Sequence, residues 1–281
     1  MIWNSSRRLI IAGALVLLAA LILGAWSYHQ SRKVCCGFPD EPGPQPRPAL
    51  GLMTSLPIYW PLGAGIADMV GGAVEEPWQR EVLERGNQIV PLDTLSPIAA
   101  LDPDKSDTDP LAGLERIAII QPRGLSPADN VALDQWVRAG GRLLLALDPA
   151  LTGEYDLPLG DPRRPTAAAL VPPVVGRWGA RISFDESQPF APRLDQGDGL
   201  TVPVLLAGEI TGDSANCASA GGSALLRCAV GEGSVTLLAD AAIFEHQEIA
   251  GEDGAVIVNV LRYALDQPAS GILRDEEREI R

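Results

Sequence analysis

Residues 116–149 constrain the fold most. "RIAIIQP" is a continuous apolar run, "SPADNVALDQWVRAGG" carries helical periodicity, and "RLLLALDP" is a second apolar run. Ser126 is placed to cap the helix, Pro127 suits its first turn, and Asp129 completes a capping-box-like start. Leu133, Trp136 and Val137 form its apolar stripe, and Gly140 ends it. A strand, a helix and a second strand in so short a span predict a parallel crossover. Strands that are apolar at nearly every position predict a sheet covered on both faces.

The same alternation continues on either side. "LGLMTS", "EEPWQREVLERG" and "QIVPLD" predict strand, helix and strand, with Pro77 in the first helical turn and Gly86 at its end. "PIAALDPDKSDTDPLAG" reads as a surface loop. From Leu151 to about Gly197 the pattern loosens: "DPRRP" is a loop, "AAALVPPVVGRWGA" a proline-interrupted helix and "RISFD" a short strand. "TVPVLLAGEI" reads as one strand. "ALLRCAVGEGSVTLLAD" predicts a hairpin turning at Gly231, Glu232 and Gly233, with Leu226, Cys228 and Val230 on one face. "AVIVNVLRYALD" predicts a closing helix with Asn259, Arg262 and Asp266 on its wetter side. The expected fold is α/β: a doubly wound, mostly parallel sheet of flavodoxin-like type over residues 50–268, with a C-terminal hairpin and closing helix. A solvated charged tail follows at 269–281.

Ahead of this domain, the run from Leu9 to Trp26 contains no charge. At 1.5 Å per residue it reaches about 27 Å, enough to cross a hydrocarbon core. Arg7 and Arg8 precede it, and Trp26 and Tyr28 suit a membrane interface. The expectation is an uncleaved signal anchor spanning the membrane over 9–28, after a cytoplasmic N-terminus at 1–8. Arg32 and Lys33 balance Arg7 and Arg8, so flanking charge leaves orientation tied, and the α-amino group tips it toward N-terminus inside. Residues 29–49, with the proline-rich "GFPDEPGPQPRPA", read as a stiff spacer.

All 36 acidic residues follow Lys33, and the chain carries a net charge of −14. That argues against a nucleic-acid partner. Four cysteines fall in two pairs. Cys35 and Cys36 are adjacent, with no role assigned. Cys217 and Cys228 can close a disulfide if the compartment is oxidising. Neither pair has zinc-site spacing, and His29 and His246 are the only histidines; no metal and no cofactor is expected.

Three carboxylates, Asp93, Asp148 and Asp240, each end an apolar strand and are candidates to gather at the carboxyl edge of the sheet. Paired carboxylates there can hold a cation or exchange protons, which supports an alternative reading as a metal-dependent hydrolase. The plainer reading is preferred: each shapes the turn after its strand, and Asp148 before Pro149 fits this well. Ligands of open α/β sheets sit outside the strand ends. The candidate binding residues are therefore Ser55, Tyr59 and Trp60 after the first strand, and Arg163 and Arg164 in "DPRRP".

The order "LGLMTSLPIYW", "RIAIIQPRGLSPADNVALDQWVRAGGRLLLALDP", "LGDPRRP" and "GEGSVTLLADAAIF", then "NVLRYAL", resembles membrane-anchored proteins with a class I glutamine-amidotransferase-like domain. These include gliding-motility-type auxiliary components of ABC transport systems and a related bacterial domain of unknown function. The resemblance implies a bacterial inner-membrane protein with a periplasmic C-terminal domain and membrane-protein partners such as an ABC-type transporter. Active amidotransferases of this class carry a cysteine at an elbow after a central strand. The strand "RLLLALDPA" has none, so the resemblance implies a non-catalytic binding or scaffold protein rather than an enzyme.

Overall fold

The structure is a computed structural model and describes residues 47–64, 71–72, 74–102, 104–197, 200–213, 216–217 and 223–267, together with residue 23. The chain divides into two units, 1–46 and 47–281, and the following concerns the second. The span expected at 9–28, the spacer, Cys35, Cys36 and the charged tail lie outside the described residues. Among those that are described, no helix is long and apolar enough to cross a membrane.

The central sheet has six strands in the order β2-β1-β3-β4-β10-β9. These are β1 (Ala49–Thr54), β2 (Gln88–Pro91), β3 (Arg116–Ile120), β4 (Arg142–Ala146), β9 (Leu225–Val230) and β10 (Gly233–Leu238). All neighbours are parallel except the β9–β10 hairpin. Every strand but β2 buries both faces, as unbroken apolar runs require, while β2, at the sheet edge, is exposed or half-buried at each position. Leu50, Leu52, Ala118, Ile120, Leu144 and Leu238 enter one core with α5 (Ala255–Leu265) and α1 (Trp78–Gly86). Ile117, Ile119, Leu143, Leu145, Leu226, Cys228, Val230 and Leu237 enter the other, against α2 (Pro127–Arg138) and α3 (Pro173–Arg177).

Helix α2 carries the full capping box: Ser126 Oγ accepts from Asp129 N while Ser126 N donates to the Asp129 carboxylate. Asp129 also accepts from Leu95 N, Ser96 N and Thr94 Oγ1, so one carboxylate ties the helix start to the loop after β2. Those donors hold its carboxyl well below the usual carboxylate range. Trp136 is only half-buried, its indole N–H donating to Leu114 O at 2.9 Å. Asp134 shares the buried face because it accepts from Trp178 Nε1 and from Arg138.

One expectation fails in an instructive way. "TVPVLLAGEI" is not one strand but two, β7 (Leu200–Val204) and β8 (Glu209–Gly212), in separate two-stranded sheets. β7 pairs with β6 (Arg193–Gly197), a strand the loosened pattern concealed, and β8 pairs with β5 (Ala180–Ser183). The chain breaks where Leu205 N donates to the buried Asp240 carboxylate and Leu206 takes φ 55°. The proline-interrupted helix is a single short turn-and-a-half, α3, whose start Pro172 and Pro173 permit. Cys217 and Cys228 form a disulfide, and Ala229 N donates to Asn216 O beside it.

Candidate functional site at the carboxyl edge of the sheet

β1 lies between β2 and β3, so the chain order reverses at β1 and its carboxyl end flanks the topological switch point, the usual ligand crevice of such folds. Here the crevice is plugged. Ser55 N and Ser55 Oγ both donate to Gln121 O, at 3.1 and 2.6 Å, and Thr166 N donates to Ser55 Oγ. Ser55 is thus buried and structural, not free for a ligand.

Gln121 follows β3 in a left-handed conformation, φ 45°, and is fully buried. A non-glycine residue there costs on the order of 1–3 kcal/mol unless its surroundings over-determine it. They do: its amide nitrogen donates to Asp148 O and Thr166 O, and its amide oxygen accepts from Asp148 N. The position gives the impression of a strained elbow, but its side chain is an internal brace rather than a nucleophile.

Asp148 and Asp240 do come together, both almost completely inaccessible to solvent. Asp148 accepts from Ala150 N at 2.7 Å and Ala241 N at 2.9 Å. Asp240 accepts from Leu205 N and Ala242 N. Each carboxylate therefore closes its own turn and a neighbouring segment. Burial pushes the Asp148 carboxyl up to about 7, helped by the Glu245 charge and opposed by the two N–H donors. Burial, then the charge of Asp148, raises Asp240 well above the ordinary value. Asp93 does not join them. It is exposed, and its charge acts on Tyr59 instead. Among the described residues no three His, Cys, Asp or Glu side chains are disposed to hold a metal ion.

Glu245, whose charge acts on both carboxyls, lines a cleft of about 650 Å³ whose walls also include Pro57, Pro61, Trp78, Tyr155, Phe190 and Phe244. Glu245 at the end of α4 (Ala242–Glu245) fastens one wall: its carboxylate accepts from Thr152 N, Gly153 N and the Tyr155 hydroxyl. Burial and the Glu245 charge push the Tyr155 phenol far above its ordinary value, so it stays protonated and donating. His246 Nε2 lies 2.8 Å from Thr152 Oγ1, and His246 Nδ1 lies 3.7 Å from Glu248 Oε1. This is a hydroxyl–imidazole–carboxylate sequence. Acyl transfer also needs donors for the oxyanion, and the N–H groups of Thr152 and Gly153 are already bound to Glu245.

Of the other expected binding residues, Tyr59, Trp60 and Arg163 line a second, adjoining cleft of about 250 Å³ that shares Pro57, Pro61 and Leu62 with the first, and Arg164 lines neither. Trp60 is 52% exposed, with the Arg80 guanidinium 5.6 Å from its ring centre. Tyr59 is half-buried and its hydroxyl donates to Leu52 O. Arg163 is paired with Asp161 at 2.8 Å. Arg164 is not available as a clamp: its Nη1 donates to Tyr155 O and Leu157 O, and it stacks against the Tyr155 ring. Sequence reasoning passed over Glu245, Thr152, Tyr155 and Phe190. "IFEHQ" after a strand-ending aspartate was the available signal, since it places three polar side chains, Glu245, His246 and Gln247, within ten residues of a strand end.

No family model matches the chain, and comparison with curated proteins found no match. Among solved structures it is similar to the exo-β-1,4-mannosidase Op5Man5 from Opitutaceae bacterium strain TAV5, at 16% identity and TM-score 0.42, over 79% of this chain and 36% of that one. A β-galactosidase from Rahnella sp. R3 matches at 15% identity and TM-score 0.44, over 79% and 32%. A ThuA-like protein from Parabacteroides merdae ATCC 43184 matches at 10% identity and TM-score 0.37, over 81% and 91%. The chain spans about a third of the length of the two glycosidases. At these values the comparisons leave function to the site.

Proposed function

We propose that the chain is a membrane-anchored binding or scaffold protein whose amidotransferase-like domain works on a bacterial envelope partner, an ABC-type transport system being the class its resemblance suggests. One observation carries this reading. The polar groups at the strand ends, Gln121, Asp148 and Asp240, are all taken up by backbone hydrogen bonds, while the open surface beside them is aromatic and proline-lined. Cys217 and Cys228 are bonded to each other, which removes both as thiolate nucleophiles. The carboxylate-metal hydrolase alternative has no three-ligand cluster among the described residues to support it.

Membranes expressing the tagged full chain should yield a partner after photo-crosslinking. Replacing Trp60 and Phe190 together by alanine should reduce that yield several-fold while leaving the melting temperature within the range of surface changes. Val131→Ala, exposed on α2, should change neither. Equal capture by all three proteins would sink the binding reading.

The periplasmic placement has its own test. Alkylation of intact cells followed by non-reducing peptide mapping should recover Cys217 and Cys228 as a linked pair. The closed loop, with a sequence separation of 11, should contribute about 2–3 kcal/mol, read as loss of stability in Cys217→Ser/Cys228→Ser. Free, alkylated thiols at both positions would place the domain in a reducing compartment.

A further inference from the structure

The two adjoining clefts have a chemistry of their own. The larger is walled by three prolines, Pro57, Pro61 and Pro77, and by the side chains of Trp78, Tyr155, Phe190 and Phe244. Besides Tyr155, whose phenol stays protonated, its titratable lining consists of Glu154, Glu245 and His246, with no lysine or arginine. Glu245 is positioned by N–H and O–H donors, and among the described residues no lysine or arginine pairs with it. Arg80, the guanidinium nearest Trp60, is occupied by Glu76 and Glu84 at 3.0 and 2.8 Å. Arg164 lies against the Tyr155 ring but donates to the carbonyls of Tyr155 and Leu157, and Arg163, which lines the smaller cleft, is paired with Asp161. The larger cleft thus combines aromatic walls with two carboxylates, Glu154 and Glu245, that no arginine or lysine side chain among the described residues pairs with, an arrangement that favours a cation over an anion.

Shape narrows the occupant further. The two clefts share Pro57, Pro61 and Leu62 as a rim, and each carries one exposed aromatic side chain, Phe190 at 72% in the larger and Trp60 at 52% in the smaller. A compact molecule fills one cleft only. An extended chain covers both, and a polyproline-type segment does so with little ordering cost because its backbone is already extended.

We propose that this face docks an extended, proline-containing segment of a partner protein, with one arginine or lysine side chain entering the aromatic cleft beside Glu154 and Glu245. The inference rests on the binding reading and adds the partner's chemistry. Charge complementarity selects the basic side chain, the aromatic walls favour arginine, and the two adjoining clefts select an occupant with an extended backbone.

The test uses the full chain in detergent micelles and three fluorescent seven-residue peptides. These are Ala-Pro-Pro-Arg-Pro-Pro-Ala and the same peptide with norleucine or glutamate at the centre. Anisotropy should show the arginine peptide binding at least about 10-fold more tightly than the norleucine one, a difference of about 1.4 kcal/mol. The glutamate peptide should bind most weakly, and the arginine preference should shrink with added salt. Glu154→Gln and Phe190→Ala should each weaken the arginine peptide about five-fold with an unchanged thermal midpoint. Equal affinity for the arginine and norleucine peptides overturns the inference, as does no binding of any peptide at about 1 mM or unchanged affinity in both variants. If cross-linked partner capture still depends on Trp60 and Phe190 in that case, the binding reading stands and only the partner's chemistry is wrong.

Discussion

Gly233→Ala should destabilise the domain by at least about 3 kcal/mol, a large share of the roughly 5–15 kcal/mol that holds a domain folded. A Cβ at that position would lie 2.1 Å from Val137 O and 2.3 Å from Gly141 O. Both contacts are backbone, so no rotamer change relieves them. The cause is the close approach of the hairpin turn to the end of α2, where Glu232 N donates to Arg138 O and Ser234 N to Gly141 O. Accommodating one methyl group means parting β10 from α2 and losing those bonds. Gly86→Ala is the matched control: nothing lies within 4 Å of its Cβ position, and it sits at the end of α1. It should be neutral or stabilising by a few tenths of a kcal/mol. Urea denaturation followed by circular dichroism separates the two, and equal midpoints for both variants would refute the packing argument.

The second large effect concerns pH. Asp148 titrates near 7 in the folded protein and near 3.9 when unfolded. The fold therefore binds that proton more tightly than the unfolded chain does. The resulting stability is fully present below about pH 4 and is lost as pH rises through about 7. Asp240 is shifted in the same direction. Asp129 and Asp134 are shifted downward and lose their contribution only as pH falls below the ordinary carboxylate range. Between pH 8 and 5 the carboxylate pair should thus govern, and stability should rise on acidification by a few kcal/mol.

Asp148→Ala leaves the N–H groups of Ala150 and Ala241 without their acceptor. It should cost about 2–4 kcal/mol at pH 5. At pH 8 it should cost much less, because it also removes a buried charge. A wild-type stability curve that is flat from pH 5 to 8, or a substitution penalty independent of pH, would show that the pair does not titrate there.

What the sequence made legible follows from the range of the interactions involved. Helix α2 was readable down to its cap because Ser126 and Asp129 are three residues apart. The hairpin and its face of Leu226, Cys228 and Val230 are likewise local, and all three enter one core. The parallel strands were readable because burial on both faces demands apolar residues at every position. The division of "TVPVLLAGEI" was hidden, since its cause is a carboxylate 35 residues away.

The candidate site was readable only in outline. Strand-end aspartates could be named, but not which would meet: Asp148 reaches Ala241 across 93 positions, while Asp93 stays in solvent. The Glu245 clamp on Thr152, Gly153 and Tyr155 joins two segments that have no pattern in common. Arg164 shows the complementary error. A solvent-like loop arginine turned out to hold its own loop together through Tyr155 O and Leu157 O.

The disulfide has a consequence for colloidal behaviour. β9 is the outer strand of the main sheet, so one row of its backbone groups faces away from β10. That row is screened where Cys217 pairs opposite Cys228 and Asn216 O receives Ala229 N. The sulfur–sulfur bond ties the screening segment in place. Reduction would free that segment to lift away and present an apolar strand, Leu225–Val230, as a template for a second chain. The bond thus guards a sheet edge as well as adding stability, and newly made chains that have not yet been oxidised are the ones most exposed to mispairing with one another.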